Sequence, residues 1–532
     1  MKIFVFSALL LLALKLYSLP PSAKIDIKHY AFTLELNDTT DMIRGSATIR
    51  LSFTQPVTEF ELDLMEKSST GKGMTVTQVA GNDIPLKYSQ KAGKLFITLA
   101  QQVTSGSEMT LTVIYSGVPD DGLIIGKNKY GDRTFFGDNW PDRAHHWLPV
   151  IDHPADKATV EFLVIAPPVY EVIANGVRME ESLLNPKQKL THWREDVPLP
   201  TKVMVIGAAR FAIQYAGEVG DIAIEQWVYP QNRKEGFNDY AAASKILRYF
   251  IENIGPYPYK KLANVQSKTK YGGMENASNI FYFENSVNGK GDHDGLIAHE
   301  IAHQWFGDSA SELDWHHVWL SEGFATYFTN LYNEFAYGPE RRAKDMAKQR
   351  NDVAAFHRKT PLPVVFAALP EDLLDILSTN SYQKGSWVLH MLRRQIGDEA
   401  FWRGIRQYYK EYQQSNAVTA DLQRVMEQAS GQNLANFFKQ WLYTPGHPVL
   451  KASWSYNDKA KTIDVVIAQI QIGDAFNFPL EIGIGYDGSE KLIEKVEINA
   501  KTMKFSIKSS KKPLVLELDP GVNLLFEGNF TN

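Results

Sequence analysis

The spacing of apolar residues changes twice along this chain, and no single type of secondary structure satisfies both spacings. From His29 to about Tyr115, apolar and polar residues alternate, which is typical of antiparallel strands with one buried face. From Asn238 to Trp441, apolar residues recur every three or four positions, which predicts helices. Alternation returns after Gly446-His447-Pro448. The chain must therefore combine sheets near both ends with a helical middle part.

These patterns predict a multidomain α+β protein. Strand-like segments extend an N-terminal antiparallel β domain over residues 19–211, and residues 212–445 form a mostly helical domain. Residues 446–532 form a small C-terminal β-sandwich. With 532 residues, 44% of them hydrophobic, the chain is long enough to bury several cores.

The first 18 residues differ from the rest of the chain. Lys2 precedes an apolar run over residues 3–14, which would span about 18 Å as a helix and is too short for a bilayer core of about 30 Å. We therefore predict a signal peptide over residues 1–18, cleaved near Ser18 or after Ala23, and an exported protein in a periplasm or the extracellular space. The alternative is an uncleaved membrane anchor.

Composition excludes several classes of function. Lys and Arg together number 56 and Asp and Glu number 61, which gives a formal net charge of −5. A nucleic-acid-binding chain normally carries a basic field, so no nucleic-acid partner is expected. Cysteine is absent, which excludes disulfides, thiolate metal sites and thiol catalysis.

The most specific chemical motif is the segment His299-Glu300-Ile301-Ala302-His303. On a helix, His299 and His303 lie on one face, so both imidazoles can bind one zinc ion. Glu300 is rotated by about 100° from His299 and lies beside the metal, where a base for an attacking water belongs. Catalytic zinc usually has three protein ligands, and Glu322, 19 residues after His303, is the candidate for the third. The alternative for Glu322 is a solvated carboxylate at the start of a helix.

Four motifs in the same order and spacing resemble the zinc aminopeptidases of the alanyl-aminopeptidase and leukotriene-hydrolase type, which are gluzincins. They are the zinc motif followed by Gln304-Trp305-Phe306-Gly307-Asp308, Trp319–Thr326, Tyr271–Asn276 and Tyr382–Gly385. Weaker similarity extends over both β domains. The resemblance implies a thermolysin-like fold for the helical domain, one zinc ion per chain, and removal of N-terminal amino acids from peptides.

The resemblance also implies roles outside the zinc motif. A segment at the edge of the cleft would contact the substrate; it consists of Gly272, Gly273, Met274, Glu275 and Asn276. The carboxylate of Glu275 would bind the free α-ammonium group of the peptide, and Tyr382 would donate a hydrogen bond to the oxyanion of the tetrahedral intermediate. The alternatives are a surface carboxylate for Glu275 and a packing role for Tyr382.

The chain departs from the family in the N-terminal β domain. Many members carry an amine-binding acid or amide at the position of Trp140. Trp140 could form a wall of the first subsite, or Asp138 or Asp142 could bind the amine instead. The large C-terminal helical domain of many relatives has no counterpart after the β-sandwich, so we expect a less enclosed cleft that admits longer peptides.

The sequence therefore predicts a zinc-dependent aminopeptidase whose partners are peptides with a free N-terminus, without a membrane span after signal cleavage. A zinc endopeptidase is the first alternative, and it would not need Glu275 as an amine anchor. Epoxide hydrolysis, known in one branch of the family, is another. The third is a secreted binding protein without catalytic activity, which would normally have lost a ligand or the base.

Overall fold

A computed structural model of the protein describes residues 24–487 and 491–531. The predicted signal peptide, residues 1–18, lies outside the described residues. Among the helices of the described ranges, none is long and apolar enough to cross a membrane.

The N-terminal part of the described chain consists almost entirely of strands. They are β1 Ile25–Glu35, β2 Ile43–Phe53, β3 Val57–Asp63, β4 Gly73–Gly81, β5 Ile84–Pro85, β6 Lys87–Lys91, β7 Lys94–Val103, β8 Glu108–Val118, β9 Leu123–Lys127, β10 Arg133–Gly137, β11 Lys157–Ala166, β12 Glu171–Ala174, β13 Val177–Asn185, β14 Gln188–Pro200 and β15 Ile206–Ala209. The main sheet has the order β13-β14-β11-β1-β2-β8-β4-β5, and two smaller sheets have the orders β3-β7-β6 and β12-β15-β10-β9.

The predicted antiparallel pairing holds for these sheets, except that β1 and β11 run parallel. More than 100 residues separate these two strands, which is ample for the crossover that a parallel pair requires. The predicted alternation is confirmed in β1, where Tyr30, Phe32 and Leu34 are buried and the residues between them are partly exposed. The apolar face of the sheet therefore packs into the core of this domain.

The middle part begins with a sheet and continues as a helical bundle. Its strands are β16 Ala212–Val219, β17 Ile222–Val228, β18 Lys261–Ser267, β19 Gly273–Met274, β20 Asn279–Phe283, β21 Ala310–Glu312 and β22 Ser415–Ala417. Its helices are α1 Arg233–Asp239, α2 Ala243–Asn253, α3 Asp294–His303, α4 Trp319–Tyr337, α5 Pro339–His357, α6 Gly385–Ile396, α7 Asp398–Tyr412, α8 Thr419–Ser430 and α9 Ala435–Phe438. Two further segments form π-helices, Asn380–Lys384 and Lys439–Tyr443.

The sheet of this part, with the order β16-β17-β18-β20-β19, is not visible in the sequence pattern. Strand β18 is buried along its whole length, and β20 along nearly all of it. Strands that are covered on both faces do not alternate apolar and polar residues, so their periodicity carries no strand signal. Strand β19 lies at the edge of this sheet and antiparallel to β20.

The C-terminal part is the predicted β-sandwich. Its strands are β23 Val449–Asn457, β24 Thr462–Gln469, β25 Phe478–Gly485, β26 Leu492–Ile498, β27 Thr502–Lys508, β28 Val515–Leu518 and β29 Glu527–Phe530. They form one sheet of order β27-β24-β23-β29 and a second of order β26-β25-β28. Ion pairs attach the sandwich to α5, since Arg350 contacts Asp519 and Arg358 lies 2.5 Å from Glu527.

A buried ion pair joins the N-terminal β domain to the helical domain. Lys202, just before β15, and Glu312 of β21 are 1% and 0% exposed, and Nζ and Oε1 lie 2.5 Å apart. Burial opposes the charge of Lys202, but the carboxylates of Glu312 and Glu275 raise its pKa above the usual value for lysine. Nearby, the ammonium of Lys157 donates hydrogen bonds to the carbonyl oxygens of Asp308 and Ser309. The junction therefore depends on a charge pair that has no access to water.

Replacing one partner of the buried pair should destabilise the protein strongly. We expect Lys202→Met to lower the free energy of unfolding by about 3–5 kcal/mol, because Glu312 would remain buried without a counter-charge. The double variant Lys202→Met/Glu312→Met should recover most of this loss. Urea unfolding measures all three proteins.

The matched control is Lys260→Met, which removes a lysine from the exposed pair of Lys260 and Asp221. Water already solvates both of these charges, so this variant should unfold at nearly the wild-type urea concentration. Equal destabilisation by the two single variants would contradict the structural importance of the buried pair.

Candidate active site

Helices α3 and α4 bring the three predicted metal ligands together. The Nε2 atoms of His299 and His303 lie 3.2 Å apart. The Oε2 atom of Glu322 lies 3.5 Å from Nε2 of His299 and 3.2 Å from Nε2 of His303. Ligand atoms on a tetrahedral zinc ion with bonds of 2.0–2.1 Å are about 3.3 Å apart. The triangle therefore has the size that a tetrahedral zinc ion requires.

The imidazole of His303 is held in the orientation that a metal ligand needs. Its Nδ1 atom lies 3.2 Å from the carbonyl oxygen of Phe306 and 3.0 Å from the hydroxyl of Ser321. A proton on Nδ1 donated to that carbonyl leaves the lone pair of Nε2 free for a metal. Gly307 allows the Ser321 hydroxyl to lie this close to the imidazole of His303. Its φ is +128°, and a Cβ atom there would collide with that hydroxyl.

The electrostatics of the triangle also fit a cation. Glu322 is buried, and its Oε2 atom lies against the Nε2 atoms of the two histidines. Burial would raise the pKa of Glu322, but the imidazoles of His303 and His299 hold it below its usual value, so the carboxylate stays ionised. A buried anion needs a positive charge beside it, and between two neutral imidazoles a metal ion supplies that charge. Two nitrogens and one carboxylate oxygen form a typical ligand set for catalytic zinc.

Glu300 lies next to the triangle and against the backbone of β19. A Cβ atom on Gly273 would collide with the Glu300 carboxylate, so only glycine lets the strand approach this closely. Glu300 is buried, and burial raises its pKa well above the usual value. The carboxylate is therefore held beside the position of the metal, where it can exchange a proton with a reacting group.

Glu275 contributes a second carboxylate to the same site. It is 5% exposed, and its Oε1 atom has no partner among the described residues. Gln304 fixes its backbone, since Nε2 of Gln304 donates to the carbonyl oxygen of Glu275 at 2.7 Å and to Asp308 at 2.9 Å. The other side of the same amide accepts a hydrogen bond from the backbone N–H of Ser278. The residue that follows the zinc motif thus positions the backbone of Glu275, a role that the sequence did not reveal.

Tyr382 reaches the site from the π-helix Asn380–Lys384. Its ring stacks against the ring of His299, with centroids 6.0 Å apart and planes inclined by 15°. Burial raises the pKa of Tyr382 well above the usual value, so the phenol keeps its proton and can donate it in a hydrogen bond. A Cβ atom on Gly323 would lie 2.9 Å from Cα of Gly385, which shows how closely α4 approaches the chain that follows Tyr382.

These side chains surround one small pocket, with a volume of about 70 Å³. Its walls are formed by the residues Trp140, Tyr271, Gly273, Met274, Glu275, His299, Glu300, His303, Glu322, Leu377 and Tyr382. All five predicted catalytic and metal-binding residues are present, together with three of the five predicted substrate-binding residues. The other two, Gly272 and Asn276, are not among the described residues that line it, and Asn276 is fully buried.

The structure favours one of the two alternatives for the N-terminal domain. Trp140 lines the pocket, whereas Asp138 and Asp142 do not belong to its described walls. Asp138 is fully buried and accepts a hydrogen bond from Arg143 at 2.7 Å, so its charge is already compensated. Trp140 is therefore a wall of the pocket.

Several other histidines of the chain have partners outside the pocket. His145 lies 2.8 Å from Asp152, and His316 lies 2.9 Å from Asp314. His317 pairs with the hydroxyl of Thr419. None of these histidines belongs to the described walls of the pocket, and their contacts are structural.

Comparison with known proteins agrees with the geometry of the site. Residues 27–203 match the model of the peptidase M1 N-terminal domain, and residues 239–441 match the model of the peptidase family M1 domain. A probable aminopeptidase 2 of Sulfurisphaera tokodaii is 26% identical over 450 residues, which cover 81% of this chain and 55% of the relative. Glutamyl aminopeptidase of Mus musculus is 26% identical over 464 residues, which cover 81% of this chain and 48% of the relative.

The chain thus spans about half the length of these curated relatives. The two matched models describe successive domains of one family, and they cover the β domain with Trp140 and the helical domain with the metal-ligand triangle. With both domain models matched in order and the site assembled between them, the chain belongs to peptidase family M1.

Proposed function

We propose that this protein is a zinc-dependent aminopeptidase that removes N-terminal amino acids from peptides. The observation that carries the proposal is the unpaired carboxylate oxygen of Glu275 beside the metal-ligand triangle. Ligand atoms of Glu275, Glu300 and His303 all lie within 4.8 Å of one another. A buried carboxylate without a partner calls for a cation, and the α-ammonium group of a peptide supplies one. An ammonium bound there places the first peptide bond at the metal site.

The residues of this chain can then perform the hydrolysis. Zinc, when bound to His299, His303 and Glu322, supplies a Lewis acid that polarises the peptide carbonyl and the attacking water. Glu300 accepts the proton of that water and returns it to the nitrogen of the leaving amine. Tyr382 donates a hydrogen bond to the carbonyl oxygen as negative charge develops on it.

The alternatives are less well supported by the site. A substrate cleaved internally would leave the Oε1 atom of Glu275 buried without a hydrogen-bond donor, which disfavours an endopeptidase. An inactive binding protein would not need a base and three metal ligands around one pocket. The site contains no feature that calls for epoxide hydrolysis. We also infer export of the protein, an inference that rests on the sequence of residues 1–18.

The first test concerns the amine. We expect the purified protein to hydrolyse aminoacyl p-nitroanilides and to leave their N-acetylated counterparts intact, because acetylation removes the positive charge that Glu275 binds. Glu275→Gln should lower kcat/KM about 10²-fold, since a neutral amide cannot compensate a buried ammonium. Glu340→Gln, at the exposed start of α5, is the control and should match the wild type. Cleavage of acetylated substrates at similar rates would instead indicate an endopeptidase.

The second test separates metal binding from proton transfer. Glu300→Gln should retain one zinc ion per chain, measured by plasma mass spectrometry, and lose turnover by about 10²–10⁴-fold because an amide accepts no proton. His303→Ala should lose the zinc ion as well as activity. Chelation should abolish wild-type activity, and added zinc should restore it. A Glu300→Gln variant with nearly the wild-type rate would refute the assignment of the base.

The third test addresses the oxyanion. Tyr382→Phe removes one hydroxyl and should lower kcat about 10²–10³-fold with little change in KM, because the hydrogen bond strengthens only as charge develops on the carbonyl oxygen. The matched control is Tyr443→Phe, a half-exposed tyrosine on the other π-helix. A fall in kcat of the same size in both variants would show that the loss is not specific to the site.

A further inference from the structure

The walls of the pocket differ in chemistry on its two sides. The metal-ligand triangle and Glu275 would hold the carbonyl and the ammonium group of the first residue of a peptide. The first side chain must then point towards the remaining walls, which are Trp140, Tyr271, Met274 and Leu377. None of these four side chains carries a charge. The first subsite is therefore apolar, and no group on these walls could compensate a charged side chain.

The pocket is also small. Its volume is about 70 Å³. The adjacent groove beyond Leu377, lined by side chains such as Phe356, Phe366 and Leu374, has a volume of about 680 Å³. The narrowness is thus a local property of the catalytic pocket, and Trp140 is the bulkiest side chain of its apolar walls.

The indole of Trp140 is supported from behind by aromatic and charged groups. It is 2% exposed and packs edge to face against Trp315, with ring centroids 5.4 Å apart. The ammonium of Lys202 lies 5.4 Å from the centre of the Trp315 ring. Lys202 is itself held by its buried ion pair with Glu312. Displacing Trp140 would therefore disturb an aromatic contact, a cation–π contact and a buried charge pair.

The backbone around Trp140 is held equally firmly. Nε of Arg143 donates a hydrogen bond to the carbonyl oxygen of Trp140 at 2.8 Å. The side-chain amide of the preceding residue, Asn139, donates to the carbonyl oxygen of Met204 at 2.6 Å and accepts from the indole N–H of Trp147 at 2.8 Å. Breaking these buried hydrogen bonds would leave polar atoms unsatisfied, so an outward movement of Trp140 would cost free energy.

From this geometry we infer that Trp140 limits the first subsite to small uncharged side chains, so that the preferred substrates are peptides beginning with glycine, alanine or serine. The inference rests on the proposed aminopeptidase function. A leucine or phenylalanine at the first position would have to displace the indole of Trp140. Substrates that begin with these residues should therefore have a lower kcat/KM than substrates that begin with a small residue.

The test compares kcat/KM for the p-nitroanilides of glycine, alanine, leucine and phenylalanine. In the wild type, alanine should exceed leucine and phenylalanine by about 10-fold or more. Trp140→Ala should raise the ratio of phenylalanine to alanine by about 10-fold or more, and Trp140→Phe should give an intermediate ratio. Circular dichroism and zinc content show whether each variant is folded, and Trp140→Phe keeps the test valid if Trp140→Ala does not fold.

The matched control is Trp454→Ala, which truncates a tryptophan of the C-terminal sandwich and should leave the ratio unchanged. A wild-type preference for leucine or phenylalanine would overturn the inference, as would ratios that do not change when Trp140 is made smaller. Those outcomes leave the aminopeptidase function intact. If the zinc-loaded wild type hydrolysed none of the free-amine compounds, this result would refute the proposed function and, with it, the inference about the first subsite.

Discussion

The packing of α3 against α4 sets the distances on which the rest of this site depends. Three ligand atoms, on His299, His303 and Glu322, approach one another to 3.2–3.5 Å. Glycines at 307 and 323 allow the necessary close approaches of α3, α4 and the segment before α6. Backbone packing thus arranges the ligands in advance, so that metal binding requires little reorganisation.

Around this triangle the protein concentrates buried carboxyl groups. Glu275, Glu300 and Glu322 are all buried within the same pocket, and Glu312 lies behind it. Such an arrangement is tolerable only if cations match the carboxylates. The chain supplies one of them, Lys202, and in the function that we propose the others are a metal ion and the ammonium group of a peptide. Stability and substrate recognition therefore depend on the same balance of charge.

The pocket is built from residues of two domains. Lys202 and Trp140 come from the N-terminal β domain, whereas Glu312, Trp315 and the metal ligands come from the helical domain. The pocket exists only where these two sets of residues meet. Within the helical domain, Gln304 makes a comparable connection. Its side-chain amide links the end of α3 to the backbone of Glu275.

The sequence by itself determined those features that depend on local geometry. An i, i+4 pair of histidines lies on one face of any helix, and an alternating strand such as β1 shows which of its faces is buried. The resemblance to known motifs added Glu275 and Tyr382, and the structure brings both to the pocket. The sequence did not reveal β18 and β20, because strands that are buried on both faces lose their alternation.

Only the tertiary structure decided which residues meet across the domain boundary. It placed Trp140 in the wall of the pocket, where its ring packs against Trp315 of the helical domain. Within single domains it also paired Asp138 with Arg143 and kept Gly272 and Asn276 out of the described walls. It also paired Lys202 with Glu312, 110 residues further along the chain. Contacts between such distant positions follow from how whole domains pack, and neither the periodicity nor the spacing of residues in one segment carries that information.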